Sequence, residues 1–599
     1  MNSIKPLAAK LCASHFLLIA AALAAAPAVA APPAAVKQLH QLFDEDWERG
    51  LKEYPEYATF LGDARYNDRW TDWSLPAIEQ RDAADRTVLE KLAKIRRDKL
   101  PPADQLNYDL FRQRYEIAVA YQRFRTHEVP IDAIGFDGFG SAATLAQLQP
   151  FATAADYDKW IRRLRAYGTL VDQNMALMRA GMASGRVPPR EPMTRLLAQL
   201  GGFAPDAPEA SPFYAPFKAM PESLPAAERE RLRAQGTAAI RDVVTPAWRR
   251  FNAFFEKEYL PACRATIAAE DFPDGVAFYA LRVRDMTTTD LTPDQIHEIG
   301  LSEVARIRAE MEKIREQVKF KGDLPAFFGF LRSDKQFYFK TGEELLAAYR
   351  VLAKRIDPQL VKLFGRIPRT PYGVEAVPEL EAPNQTTAYY RSPAEDGSRA
   401  GYFYANLYKP ETRPKWEMEA LTVHEAVPGH HFQIALAQEL GDLPKFRRLG
   451  GYTAFVEGWG LYSEGLGGEL GLYTDPYSKF GQLTYEMWRA VRLVVDTGIH
   501  HKGWSRQQAI DYFSANAAKT ANDIAVEVDR YISWPAQALA YKIGELRIKA
   551  LRERARTALG SRFDIRRFHD VVLGTGAVPL DVLEANVDRW IEAERNRSG

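Results

Sequence analysis

Apolar residues recur at the spacing of an α-helix through most of this 599-residue chain. Between Lys37 and Tyr54 they stand three or four positions apart, which places them on one face of a helix. The same pattern continues in three further stretches, residues 82–98, 103–127 and 155–185. The sequence therefore predicts a mostly α-helical fold.

One segment has the composition of a β-strand instead. Residues Gly401 to Tyr408 are short in extent and rich in aromatic side chains, and Gly and Asp residues cluster before them. We therefore expect a small β-element between residues 389 and 408.

A proline-rich stretch at residues 205–225 is typical of a long connection. It is the best candidate for a boundary between an N-terminal helical part, residues 31–215, and a C-terminal helical part, residues 216–599. A single continuous domain, residues 31–599, is the alternative.

The first thirty residues have the three parts of a secretory signal peptide. Lys5 and Lys10 give a positive start, residues 16–26 are apolar, and Ala28-Val29-Ala30 is the small-x-small cleavage pattern. We expect cleavage after Ala30 and export to the periplasm or the medium. An uncleaved membrane anchor is the alternative, but the apolar run is short and rich in alanine. No later stretch is apolar for long enough to span a bilayer, so we expect no membrane insertion after cleavage.

Cysteine content and charge narrow the function classes. After cleavage one cysteine remains, Cys263, so no disulfide can form within the chain. Loss of Lys5 and Lys10 takes the formal net charge from +1 to −1. Proteins that bind nucleic acids usually carry a basic excess, so we expect no nucleic-acid partner.

Residues Leu421 to Gln433 carry the strongest chemical signal. Three of the ten histidines, His424, His430 and His431, lie within eight residues, and Glu425 follows the first of them. A neutral imidazole is a common zinc ligand. A glutamate beside such a ligand can act as general base for the attacking water in a metal-dependent hydrolase.

The spacing departs from the usual His-Glu-x-x-His arrangement, because Pro428 occupies the fourth position after His424. On a straight helix His431 would lie about 10.5 Å along the axis from His424, too far for two zinc bonds of about 2.0–2.1 Å. Proline removes a helical hydrogen bond, and Gly429 accepts a positive φ. We therefore expect a kink that brings His430 or His431 back to His424. A histidine-rich junction without metal is the alternative.

The motif His-Glu-x-x-Pro-Gly-His-His resembles the signature of a mostly bacterial family, domain-of-unknown-function family 885, which is grouped with the gluzincin-type zinc peptidases. The resemblance covers most of the chain after the signal and is strongest from Arg282 onwards. Further matching stretches are residues 287–292, 455–462, 496–500 and 537–542. In gluzincins a glutamate on a second helix is the third zinc ligand, and Glu457 matches that position. The resemblance implies a large helical metallopeptidase-like fold with a central cleft, a small β-element beside the metal, and zinc as cofactor.

The residues around Glu457 add a separate reason for this assignment. Glu457 and Glu464 are seven positions apart in an aromatic stretch, so on a helix both face the same way. A buried carboxylate needs a partner. We expect Glu457 to bind the metal and Glu464 to accept the free N–H of a ligand histidine. Two solvated glutamates on a surface are the alternative.

Further candidates concern the substrate. By the same resemblance, Tyr404 to Leu407 would be an edge strand that pairs with the substrate backbone, with Tyr404 and Asn406 in contact with it. An ordinary hairpin is the alternative. Asp496 stands four positions before His500, so it can orient that imidazole to donate to an oxyanion. A structural histidine is an equal alternative.

Residues 527–541 contain three more candidates. The hydroxyl groups of Tyr531 and Tyr541 are suited to stabilise an oxyanion, and Arg530 is suited to bind a peptide carboxylate. For each of them alone, a packing or ion-pairing role is the more common one.

These residues together predict a zinc peptidase in which Glu425 takes the proton of the attacking water and passes it to the leaving amine. By analogy with deep-channel helical metallopeptidases, short or unfolded peptides are the expected substrates. Hydrolysis of non-peptide amides or esters is one alternative. A non-catalytic periplasmic binding protein is another, although binding alone would not require Glu425.

Overall fold

The computed structural model describes residues 33–134, 142–379, 382 and 385–597. The predicted signal peptide, with its cleavage after Ala30, lies outside the described residues. Within them, helices predominate and one small sheet is present. The prediction of a mostly α-helical fold with a small β-element is confirmed.

Of the first four helices, the second packs with Leu51 in a small cluster of its own, and the other three contribute to the largest apolar core together with helices from the C-terminal half. Phe43 and Phe111, for example, both contact Phe446, with ring centroids 5.0 and 5.1 Å apart. These helices are α1 (Ala34–Glu53), α2 (Pro55–Leu61), α3 (Leu75–Ala93) and α4 (Pro102–Gln122).

The next helices surround an apolar cluster of their own, built from residues between Ile131 and Cys263. Its centre holds Trp160 and Trp248, which are fully buried, and Cys263 is buried as a free thiol. The cluster includes residues on both sides of position 215, where the sequence suggested a boundary. The helices are α5 (Ala142–Leu148), α6 (Ala154–Ser184), α7 (Arg190–Met193), α8 (Leu197–Leu200), α9 (Ala215–Lys218), α10 (Ala226–Ala239), α11 (Thr245–Phe254) and α12 (Leu260–Ala262).

The C-terminal half is built around one long helix, α21. From Phe480 to His500 all its residues except Trp488 are buried. A helix buried on every side is normally apolar, yet this one carries Arg489, Arg492 and Asp496, which need partners in the interior. The helices before and around it are α13 (Gly275–Thr287), α14 (Pro293–Gln317), α15 (Leu324–Ser333), α16 (Gly342–Ile356), α17 (Met418–Glu425), α18 (His430–Gln438), α19 (Lys445–Arg448), α20 (Thr453–Leu466) and α21 (Pro476–His500). The chain ends with α22 (Arg506–Asn516), α23 (Ala521–Ser533), α24 (Ala540–Leu559), α25 (Ile565–Leu573) and α26 (Leu580–Asn596).

The sheet has three strands, β1 (Tyr372–Ala376), β2 (Ala388–Arg391) and β3 (Gly401–Ala405), in the order β1-β3-β2. β3 pairs in parallel with β1 and antiparallel with β2. The expectation of an edge strand at Tyr404 to Leu407 is therefore wrong, because β3 is the central strand and ends at Ala405. Strand β1 pairs with the edge of β3 that was expected to be free. The sequence of β1 is short and mixed, so it does not indicate a strand.

No helix among the described residues combines the length and the apolar character needed to cross a membrane.

Candidate metal centre

The expected kink lies between helices α17 and α18. Helix α17 ends at Glu425 and α18 begins at His430, with a cis peptide bond between Val427 and Pro428. Gly429 does not adopt the expected positive φ, since its φ is −76°. Glycine is needed for space instead, because a Cβ at this position would lie 1.9 Å from the carbonyl oxygen of His424.

Helix α20 holds the kink in place. The carbonyl oxygen of Pro428 accepts hydrogen bonds from Trp459 Nε1 at 2.7 Å and from Ser463 Oγ at 3.4 Å. The same helix carries Glu457, so these bonds fix the glutamate relative to the histidines.

The structure brings together His424, His430 and Glu457. One ligand atom from each lies within 4.8 Å of the other two. Glu457 Oε2 is 3.4 Å from His430 Nε2 and 3.8 Å from His424 Nε2. Two atoms bound tetrahedrally to one zinc at about 2.0–2.1 Å would be about 3.4 Å apart. The three side chains are therefore close enough together to hold a metal ion, and we call them the His-His-Glu cluster.

A glycine lets α20 approach the cluster. Gly460 stands one turn after Glu457, and a Cβ there would lie 2.8 Å from Cε1 of His424. Any side chain at this position would push the His424 ring out of place, since cores are too densely packed to absorb such an overlap.

Glu464 accepts a hydrogen bond from His424, as predicted. Its Oε1 lies 2.8 Å from His424 Nδ1. With Nδ1 as the donor, Nε2 keeps its lone pair and faces Glu457, which is the tautomer that a metal ligand requires. Arg489 lies behind this pair, with Nη2 3.6 Å from the same carboxylate oxygen.

The electrostatics of the cluster favour a positive charge between the side chains. Burial lowers the pKa of His424, but the neighbouring carboxylates of Glu457 and Glu464 outweigh it and raise that pKa to about 10. Burial would raise the pKa of Glu457, yet the charge of His430 and the neighbouring His424 imidazole hold it well below its usual range. The carboxylates thus bind either a proton or a metal ion here.

His431 lies outside the cluster, which decides between the two histidines that the sequence left open. Its Nε2 donates to the carbonyl oxygen of Thr370 at 3.1 Å, and its Nδ1 accepts from the Tyr390 hydroxyl at 2.9 Å. Burial lowers its pKa to about 4. As a metal ligand His431 is a wrong prediction, because both its ring nitrogens are engaged with the sheet region.

Glu425 is the last residue of α17 and directly follows His424. Its side chain is buried, with 9 % of the residue exposed. It forms no hydrogen bond or ion pair with any part of the chain that the structure describes. A carboxylate in this position is free to act on a water or a substrate group.

His500 is a structural residue, so its proposed catalytic role is wrong. Its Nδ1 accepts from the Ala269 N–H at 2.9 Å, and its Nε2 donates to the Tyr531 carbonyl oxygen at 2.9 Å. Asp496 accepts instead from the Tyr279 hydroxyl and the Ala536 N–H. Burial lowers the pKa of His500 to about 3, so it stays neutral.

Two of the predicted substrate contacts are also engaged elsewhere. The amide nitrogen of Asn406 donates to three backbone carbonyl oxygens, and its oxygen accepts from the Tyr408 N–H. The Tyr531 hydroxyl accepts from Trp488 Nε1 at 3.0 Å and from Arg492 Nε at 3.1 Å. Both side chains are buried and stabilise the fold through these bonds.

Tyr404 lies on the central strand of the sheet. Its ring stacks on Tyr389 with centroids 5.0 Å apart, and its hydroxyl accepts from Arg391 at 3.4 Å. These contacts place it in an aromatic layer of the sheet.

Tyr541 and Arg530 do lie beside the cluster. The Tyr541 ring is nearly parallel to the His424 ring, with centroids 6.4 Å apart. Arg530 Nη2 donates to the Tyr541 hydroxyl at 3.2 Å, and Arg530 also faces Glu527 at 3.7 Å. The hydroxyl proton of Tyr541 has no acceptor among the hydrogen bonds of the described residues, so it remains available.

The comparison with known proteins gives the family. The sequence profile of a bacterial family described as "Bacterial protein of unknown function (DUF885)" matches residues 55–587. The chain belongs to this family.

Two solved structures are similar to this chain. A candidate lipoprotein from Colwellia psychrerythraea is 30 % identical and has a TM-score of 0.89; the match covers 94 % of this chain and 100 % of that one. A candidate lipoprotein of unknown function from Shewanella oneidensis is 17 % identical with a TM-score of 0.68, covering 92 % and 99 % of the two chains, and shares the fold. No curated protein matches the sequence.

Sequence analysis assigns no role to Arg489 and Arg492, which this DUF885 protein places beside the cluster, or to Lys519, which shares two aromatic rings with Arg489. Their cationic groups lie on the rings of Tyr485, Trp488 and Tyr541. A signal was present, since charged residues interrupt a segment of α21 that is otherwise long and apolar. Whether these charged side chains are buried beside the cluster or exposed to solvent cannot be read from the sequence.

Proposed function

We propose that this protein is a zinc-dependent hydrolase that cleaves peptide bonds. The observation that carries the proposal is the His-His-Glu cluster with the unpaired carboxylate of Glu425 beside it. A structural junction would have no need for an unbonded carboxylate next to three converging ligand atoms.

The residues fit a divalent metal ion. Glu457 Oε2 is buried and has no hydrogen-bond partner in the described part of the chain, although two imidazole nitrogens are within 3.8 Å. An unpaired buried carboxylate oxygen is costly unless a cation binds to it. Two imidazoles and one carboxylate are the ligand set of many catalytic zinc sites, which keep a fourth position open.

When bound, such an ion supplies Lewis acidity, polarising a carbonyl group and making water a better nucleophile. Glu425 accepts the proton of the attacking water and later delivers it to the leaving amine. Tyr541 donates its free hydroxyl proton to the oxygen that becomes negatively charged. Glu464 keeps His424 in the required tautomer during these steps.

The burial of the centre supports short or unfolded peptides as substrates. Glu425 is 9 % exposed and His424 is 2 % exposed. A compact protein cannot bring a peptide bond to such a position, whereas an extended segment can enter a narrow cleft.

Export is part of the proposal. The first thirty residues have the pattern of a signal peptide, and both similar structures are described as candidate lipoproteins. We infer that the mature chain begins near residue 31 and works outside the cytoplasm.

Metal content tests the centre. Protein comprising residues 31–599 is incubated with zinc, desalted and measured by elemental analysis. We expect about one zinc per chain, little in His430→Ala, and the wild-type amount in His431→Ala. The two variants are matched, since they alter adjacent buried histidines. Absence of zinc from the unaltered protein would refute the proposed centre.

Activity tests Glu425. The Glu425→Gln variant keeps the size of the side chain but removes the base. We expect it to bind zinc like the unaltered protein and to lose at least about 1,000-fold in kcat on a peptide library, from the usual worth of a general base. Unchanged kcat would remove Glu425 from the mechanism. A matched screen of amide and ester substrates tests whether the bond cleaved is a peptide bond.

A further inference from the structure

Helix α21 presents two buried arginines, Arg489 and Arg492, next to the metal centre. They are 4 % and 2 % exposed. Since they are three positions apart, they share one face of the helix. Burying two guanidinium groups this deeply is unfavourable unless each one has an anionic partner or a function.

Aromatic rings hold both groups close to the His-His-Glu cluster. The Arg492 guanidinium lies 4.4 Å from the centre of the Tyr541 ring, and that ring stacks on His424. The Arg489 guanidinium lies 4.6 Å from the Trp488 ring and 5.8 Å from the Tyr541 ring. Both arginines are thus separated from a metal-binding histidine by a single aromatic ring or a single carboxylate.

The charges around these arginines do not balance. The cations are Arg489, Arg492, Lys519 and Arg530, and the carboxylates that they face are Glu417, Glu464 and Glu527. Lys519 binds Glu417 through two hydrogen bonds, whereas Arg492 and Arg530 share Glu527. One positive charge is therefore in excess. Glu425 and Glu457 would not offset it, because they would balance the charge of the proposed divalent ion.

Two buried N–H donors of these arginines have no acceptor in the described part of the chain. Arg492 donates through Nε to Tyr531 and through Nη2 to Glu527, but its buried Nη1 has no acceptor in the described part of the chain. The Nε of Arg489 is likewise buried without an acceptor there. Guanidinium groups with free N–H donors match the planar, two-oxygen geometry of a carboxylate.

We propose that Arg489 and Arg492 form a subsite that binds a carboxylate of the substrate, so that the preferred substrate is a short peptide with a free carboxylate close to the cleaved bond. This inference rests on the proposed function, because only a hydrolase would make the bound peptide a substrate. The binding of the carboxylate can nevertheless be measured without turnover. The carboxylate comes either from the C-terminus of the peptide or from an Asp or Glu side chain.

Binding to the Glu425→Gln protein tests the subsite and its source. Three peptides of equal length and neutral sequence are compared: one with a free C-terminus, one amidated, and one amidated with a single internal Asp. We expect a free C-terminus or the internal Asp to tighten binding by about 10-fold or more over the neutral amidated peptide, from the strength of charge-assisted hydrogen bonds. Equal binding of all three peptides, or no binding of any, would overturn the proposal.

A variant assigns the effect to Arg492. Arg492→Met keeps an unbranched side chain and removes the charge, and we expect the preference for the carboxylate to shrink to about 2-fold or less while zinc content is unchanged. Arg492→Lys should restore part of the preference. We chose Arg492 rather than Arg489 because Arg489 also faces Glu464. Replacing Arg489 would therefore disturb Glu464 and, through it, His424.

The control is Arg567→Met, since Arg567 also pairs with a buried glutamate, Glu594, but lies on α25. If Arg492→Met does not fold, the double variant Arg492→Met/Glu527→Gln removes both charges of the pair. A folded variant that keeps the full preference refutes the subsite. A protein that binds no zinc but still prefers the carboxylate refutes the proposed hydrolase and leaves the subsite standing.

Discussion

His430 and His431 show how adjacent residues of the same type acquire different roles. Both belong to the first turn of α18, where successive side chains point about 100° apart. His430 faces Glu457 at 3.4 Å, whereas His431 faces Thr370 and Tyr390 beside the sheet. The choice between them depends on where the helix restarts after the kink, and no property of the two residues themselves decides it.

Glu464 gives the first prediction at this scale. In Glu464→Gln an oxygen still accepts the His424 N–H, but the negative charge is lost, so the imidazole becomes a weaker ligand. We expect zinc affinity to fall by about 10- to 100-fold, as for other residues that orient metal ligands. Competition with a chelator of known affinity measures it. Glu469→Gln is the control, because that glutamate is exposed and pairs with Arg552. Equal affinities in both variants would contradict the role of Glu464.

The predicted site residues that the structure brings together are those with local evidence. His424, Glu425 and Glu464 follow from spacing along two helices, and Glu457 from spacing and resemblance together. His500 and Asn406 could not be assigned, because their hydrogen-bond partners come from distant segments. Ala269, for example, is 231 positions from His500. The sequence does not show whether the hydrogen-bonding groups of a polar side chain are already paired within the fold or are free to bind a substrate.

Helices α20 and α24 are the elements whose contact positions Glu457. They approach so closely that glycines face each other at the crossing. A Cβ on Gly544 would lie 1.9 Å from the Ala454 carbonyl oxygen and 2.7 Å from the Gly458 Cα. Neither helix could come this near with larger residues. The sequence predicted the second ligand helix, but a glycine inside a helix does not identify the helix against which it packs.

Gly544→Ala tests this contact. The added methyl group must push the two helices apart, so we expect a loss of about 1–3 kcal/mol in the free energy of unfolding, together with weaker zinc binding as Glu457 moves. Denaturant unfolding and chelator competition measure the two effects. Gly465→Ala is the matched control on α20, since only the end of the Lys549 side chain is near it, at 4.0 Å. There alanine should be neutral or stabilising by up to about 1 kcal/mol. Equal unfolding free energies for both variants would contradict the close crossing.

At the scale of the whole molecule, the sequence predicted the helical class but not how the helices assemble. Helices α1, α3 and α4 belong to the core that also surrounds the His-His-Glu cluster, although hundreds of residues separate them from it. The proline-rich stretch suggested a boundary that the apolar cluster around Trp160 and Trp248 bridges. Local patterns specify helices and their buried faces, whereas the pairing of those faces depends on shape complementarity between distant segments.

Buried neutral histidines should make the free energy of unfolding fall as the pH is lowered. His500 and His569 are both fully buried, and burial lowers the pKa of each to about 3. The unfolded chain binds protons at these residues below about pH 6.5, whereas the folded chain binds them only near pH 3. Their contribution to the free energy of unfolding is therefore fully present above about pH 6.5 and is lost as the pH falls. For metal-free protein we expect the unfolding free energy to drop by about 2 kcal/mol per histidine between pH 6.5 and 5. Urea unfolding across this range measures it. His569→Gln should flatten the slope. An identical slope in His569→Gln would show that this histidine does not carry the effect.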